Sequence, residues 1–149
     1  MSGRVEDKIA LVTGGSRGIG EMIAAGFLLH GAKVYISSRK AEVCAETAAR
    51  LQKQHGGECI PLPADLSKVE ANDALAQERR KREDRLDILV NNARAIIGKD
   101  RVPVWELDES EWQHFLNINL TAVYLTIKFT APHMIERGKG GRIINTASD

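Results

Sequence analysis

At 149 residues the chain is long enough for one domain with a sizeable core. Its 43% apolar and 28% charged residues are ordinary for a globular protein, and a net charge of +1 gives no bulk field that would draw it to nucleic acid or an anionic membrane. No apolar run is long enough to span a bilayer, the start Met1–Asp7 lacks the apolar stretch of a secretory leader, and Cys44 and Cys59 lack metal-ligand spacing; a cytoplasmic protein with reduced cysteines is expected.

Taken in chain order, short apolar runs alternate with helical patterns. The runs are Ile9–Val12, Lys33–Ser37, Glu58–Leu62, Leu86–Val90 and Arg142–Thr146. Between them lie helical patterns near Gly18–His30, Lys40–His55, Lys68–Arg85 and Asp108–Arg137. Such β-α-β-α alternation predicts an α/β protein, with a parallel sheet covered by helices on both faces in the Rossmann-type, doubly wound manner. Gly31 reads as a stop after the first helix. Asp108, with Glu111 three positions on, reads as a capping box variant, and Gly138, Gly140 and Gly141 close that last helix. Arg79-Arg80-Lys81-Arg82, broken by Glu78, Glu83 and Asp84, reads as a solvated helix face. The one long loop runs from Arg94 to Leu107, leaving a strand's carboxyl end, where this architecture places its sites. There is no linker, low-complexity tract or repeat, so residues 1–149 form a single expected dinucleotide-binding domain.

The segment Thr13-Gly14-Gly15-Ser16-Arg17-Gly18-Ile19-Gly20 sits between the first strand and first helix. Its glycines permit backbone geometry and close approach that a side chain would forbid, and the helix N-terminus offers N–H donors and partial positive charge to an anion. A pyrophosphate is expected over Gly14–Gly20. At the end of the second strand, where NAD sites place an acid for the ribose hydroxyls, this chain has Ser38 and Arg39. A guanidinium there can grip a 2′-phosphate and Arg17 adds a second positive charge, which favours NADP(H) over NAD(H). Asp65 follows a buried strand and can either accept from an adenine amine or cap the following helix.

Thr13-Gly14-x-x-x-Gly18-x-Gly20, Ala64-Asp65-Leu66, Asn91-Asn92-Ala93 and Asn119 together resemble the short-chain dehydrogenase/reductase family, and most nearly its 3-oxoacyl-[acyl-carrier-protein] reductases. The resemblance runs along essentially the whole chain. It implies strand order 3-2-1-4-5, with Asp65 and Leu66 bordering the adenine, Asn91 steadying the central strand and Ala93 beside the cofactor ribose. Ser16, Ile19, Gly14, Gly18 and Gly20 belong to the expected cofactor loop. One position departs from the family's Asn-Asn-Ala-Gly: Arg94 stands where the glycine is expected.

The family's chemistry is reversible hydride transfer between nicotinamide and a carbonyl or alcohol, using an Asn, a Ser, a Tyr and a Lys. Asn119 and Ser148 match the first two by position, Asn119 anchoring a water relay and Ser148 holding the substrate oxygen. The family places Tyr-x-x-x-Lys after this serine, and the sequence runs to Asp149, so the chain is expected to be truncated after its fifth strand. Two readings follow: an NADP(H)-dependent reductase of a 3-oxoacyl or similar carbonyl or acyl thioester substrate, or a cofactor-binding half without turnover. A fifth strand left as an edge predicts a homo-oligomer. Tyr124 and Lys128 have the Tyr-x-x-x-Lys spacing but precede Ser148 and share the helix of Asn119, so packing or an interface is their expected role. His30, His55, His114 and His133 are scattered without ligand spacing, and no metal is expected. Trp105 and Trp112 are expected in core or interface packing.

Overall fold

The computed structural model describes residues 4–96 and 102–148. Residues 1–3, the middle of the Arg94–Leu107 loop and Asp149 lie outside the described residues. Five strands, β1 (Ile9–Thr13), β2 (Lys33–Ser37), β3 (Cys59–Pro61), β4 (Ile88–Asn91) and β5 (Arg142–Asn145), form one parallel sheet in the order β3-β2-β1-β4-β5. The helices are α1 (Gly18–Leu29), α2 (Ala41–His55), α3 (Val69–Arg82), α4 (Glu109–Leu116) and α5 (Ala122–Glu136), with a π turn at Asn117–Thr121 joining the last two. This is the Rossmann-type fold, in the strand order expected.

Alternate residues of each strand face opposite sides, so the sheet needs two apolar coats. Ala10, Val12, Val34 and Ile36 pack with Ala24, Leu28, Cys44, Ala48 and Leu51 of α1 and α2. Ile9, Leu11, Tyr35 and Leu89 pack on the other face with Leu75, Ala122 and Met134 of α3 and α5. The cysteines are buried and free, with the Cys44 thiol donating to the Ile36 carbonyl at 3.3 Å and burial pushing the Cys59 thiol up to about 12.

Several local expectations change. α3 stops at Arg82, short of the expected Arg85, because Glu83 turns extended (φ −135°) and sends its carboxylate to the Tyr35 hydroxyl at 2.5 Å and to Lys33 Nζ at 2.6 Å. The last helical pattern is not one α-helix: five residues wind as a π turn, a feature often found at functional sites. Asp108 stands at the N-cap of α4, but its side chain makes no cap bond, so the capping box is not formed. Arg79 does not belong to a solvated face; it is 1% exposed. Trp105 is 81% exposed and Trp112 48% exposed, so neither is a core residue. β5 is an edge strand, exposed throughout.

Candidate functional site

The carboxyl ends of β1, β2 and β4 meet in a cleft whose floor is built from close backbone packing. A Cβ on Gly20 would lie 2.1 Å from the Gly14 carbonyl oxygen and 2.6 Å from Asn92 Nδ2. A Cβ on Gly14, which has φ +65°, would lie 2.9 Å from Ala93 Cα. So the glycine loop is folded against itself and onto the strand-end segment at Asn92-Ala93. Gly18, with φ +55°, has open space where its Cβ would be. The loop is tied down from behind: Gly15 N–H donates to the Ser37 carbonyl at 3.2 Å, and the Thr47 hydroxyl donates to the Ser16 carbonyl at 3.2 Å.

Thr13, at the end of β1, organises the junction. Its hydroxyl oxygen accepts the backbone N–H groups of Asn92 and Ala93, each at 3.0 Å, and its own hydrogen is directed to the Val90 carbonyl at 3.3 Å. Asn91 is buried, donating through Nδ2 to Asn145 Oδ1 at 2.9 Å and accepting from the Thr126 hydroxyl at 2.6 Å. It therefore joins β4, β5 and α5. Asn119, in the π turn, clamps Ala95 from both sides: it accepts from Ala95 N–H and donates to its carbonyl, both at 3.0 Å. Arg94, exposed, lies between the residue fixed by Thr13 and the one fixed by Asn119.

Among the other expected residues, Arg17 precedes α1 in extended backbone and is exposed, as are Gly18, Ile19 and Arg39. The Ser38 hydroxyl is buried without a partner among the described residues. Asp65 turns back on its own chain, its Oδ1 accepting from Ser67 N–H at 3.2 Å and Ser67 Oγ at 2.7 Å. The Ser67 hydroxyl, then the Lys68 and Arg39 charges, hold the Asp65 carboxyl below its usual value. The carboxylate thus closes a local turn with Ser67, while the N-cap position of α3 falls to Lys68, which makes no side-chain cap bond. Leu66 is buried in the core beneath α3. Ser148 is exposed just beyond β5. Tyr124 is 60% exposed, and Lys128 Nζ lies 5.7 Å from its ring, so the pair sits on the outer surface of α5. Among the described residues no group of acids, histidines and cysteines is arranged to hold a metal, and no helix is long and apolar enough to cross a membrane.

The residues fit a dinucleotide phosphate. The backbone is packed too tightly for side chains at Gly14 and Gly20, is open at Gly18, and has exposed guanidiniums at Arg17 and Arg39 beside the orphaned Ser38 hydroxyl. A concavity of about 380 Å³ lies at the opposite, amino ends of the strands, lined by Asp7, Lys33, Glu58 and Arg85 among others. Its cations are already committed, Lys33 to Glu58 and Glu83 and Arg85 to Asp87, so it offers less to a ligand.

Thr13, Thr126 and Asn145 carry this geometry too. Thr13 opens the glycine motif in the sequence, but the two N–H groups its hydroxyl holds are seen only in the structure. For the other two, only pairing across distant segments reveals them.

A doubly wound sheet with a glycine turn at the carboxyl edge of its first strand defines a nucleotide-binding α/β protein. The comparisons are more specific: residues 8–149 match the short chain dehydrogenase family, and the chain belongs to it. The chain is 44% identical over 147 residues to the rhamnolipids biosynthesis 3-oxoacyl-[acyl-carrier-protein] reductase of Pseudomonas aeruginosa, covering 95% of this chain and 54% of that protein. An NADP active-site complex of RhlG from Pseudomonas aeruginosa superposes with TM-score 0.87 at 42% identity, over 96% of this chain and 55% of that one. L-Sorbose reductase from Gluconobacter frateurii, complexed with NADPH and L-sorbose, superposes with TM-score 0.89 at 32% identity, over 99% of this chain and 55% of that one. The chain thus spans about half the length of the relatives it matches.

Proposed function

We propose that residues 1–149 form a dinucleotide-binding domain that holds NADP(H) for hydride transfer to a 3-oxoacyl or similar carbonyl substrate. The observation that carries this reading is the glycine turn locked onto Ala93, with Arg39 and no acid at the end of β2. The NADP and NADPH complexes among the similar structures support the same cofactor. Bound NADPH would supply the hydride. In this reading the N–H groups of Gly14–Gly20 and the start of α1 receive the pyrophosphate, while Arg39, Ser38 and Arg17 receive the 2′-phosphate. Asp65 and Leu66 border the adenine, with the Asp65 carboxylate stiffening the turn through Ser67. Asn91 and Ala93 fix the ribose side. Asn119 holds Ala95 in place and keeps a second Nδ2 hydrogen for a water, since only one is given to Ala95. Ser148 supplies a hydroxyl to the substrate oxygen.

A second reading, cofactor binding without turnover, rests on the described contacts of Asn119 being structural. We also place the protein in the cytoplasm as a homo-oligomer. Val104 and Trp105 before α4, Leu120 in the π turn and Tyr124 on α5 are large apolar side chains left exposed, which supports self-association. Calorimetry with NADPH and absorbance assays with an acetoacetyl thioester separate the readings. Binding with NADPH oxidation supports the reductase, binding alone supports the second reading, and no binding overturns both.

A further inference from the structure

The C-terminal ends of α3 and α5, with the residues just past each, are joined by three polar rungs. Arg80 meets Glu136 at 3.0 Å and Arg137 meets Asp84 at 3.4 Å, both on the surface. The inner rung is of another kind. Arg79 is buried and makes no ion pair among the described residues; Nη1 donates to the Arg85 carbonyl at 3.0 Å, Nη2 reaches His133 Nδ1 at 2.5 Å, and Nε has no partner. His133 is itself 5% exposed.

A guanidinium has no lone pair to offer, so His133 Nδ1 must accept, and the imidazole must be neutral with its proton on Nε2. A second proton would set N–H against N–H between two buried cations. We propose that the Arg79–His133 contact is an acid-sensitive latch, in which neutral His133 holds α5 to α3 and protonation at Nδ1 releases it. The charged groups acting on His133 are Arg79 and Arg80 from α3 and Glu136 and Arg137 from α5; the π turn at the other end of α5 carries none. Three cations thus face one carboxylate. Burial first, and then those guanidiniums, hold the imidazole below its usual value. A depressed folded-state value means the unfolded chain takes the proton first. The latch therefore contributes fully above the unfolded value near pH 6.5 and is lost as pH falls through the lower folded value. Its release frees the helix whose Thr126 holds Asn91 and whose Met134 lies over Gly141 at the entry to β5. The latch is at the end of the fold remote from the glycine cleft and does not depend on which ligand the cleft takes.

Urea unfolding of the wild-type chain and of His133→Gln, from about pH 8 to about pH 5.5, tests the proposal. A single linked proton can change the unfolding constant by at most about tenfold per pH unit. The wild type should show this added acid slope below about pH 6.5 and His133→Gln should lack it. The imidazole NMR signals of the wild type give a readout that needs no variant. His133 should titrate below the usual imidazole value near 6.5 and acquire its proton on Nδ1. Parallel pH profiles for the two chains, or His133 titrating at or above the usual imidazole value, would overturn the latch.

Discussion

Gly20→Ala and Gly26→Ala place the same methyl group at two positions of α1 with opposite consequences. At Gly20 the new carbon would sit 2.1 Å from the Gly14 carbonyl oxygen and 2.8 Å from the Gly14 carbonyl carbon. These are backbone atoms, so no side-chain rotation relieves the clash and the loop must move off Ala93. Overpacking of this sort costs about 1–3 kcal/mol. At Gly26 a Cβ meets nothing within 4 Å, and the exchange gains about 0.8–1 kcal/mol of helix propensity. The two variants should differ by about 2–4 kcal/mol, or roughly 4–16 °C in Tm for a chain of this size. Urea and thermal melts followed by circular dichroism measure the difference. Gly20→Ala should also weaken NADPH binding while Gly26→Ala leaves it unchanged. Equal stability for the two variants would refute the close-packed loop.

Thr13→Val keeps the shape of the strand end but leaves the Asn92 and Ala93 N–H groups without their acceptor. A loss of about 1–3 kcal/mol per orphaned group is expected in urea melts, with faster amide exchange at both residues. Arg39→Ala should weaken NADPH by roughly ten- to a hundredfold by calorimetry, as loss of a charge-assisted contact predicts, and leave NADH nearly unchanged.

The sheet was legible because its signals are local and repeated: five apolar runs with glycine punctuation, each bracketed by amphipathic stretches. The glycine turn was legible because Gly14, Gly18 and Gly20 are dictated by backbone geometry that few other residues tolerate. What stayed hidden depends on contacts between distant segments. Arg79 belongs to a basic run that looks solvated, and only the approach of His133, 54 positions away, shows that it is buried. The π turn was invisible because Asn117–Thr121 has no composition that sets it apart from α-helix; Asn119 gains its clamp on Ala95 there. Asp65 was ambiguous because a carboxylate after a strand suits both a ligand and a helix entry, and Ser67 decides the contact seen here.

The central claim is that the glycine turn and the β2 end form the dinucleotide site. Titrating the isotope-labelled chain with NADPH and following its backbone amide signals tests it most directly. Saturable shifts at Gly14–Gly20, Ser38, Arg39 and Ala93 are predicted, with Asp7, Gly31, Gly57 and Arg85 at the opposite end of the sheet unmoved. Shifts confined to that opposite groove, or none at all, would contradict the account.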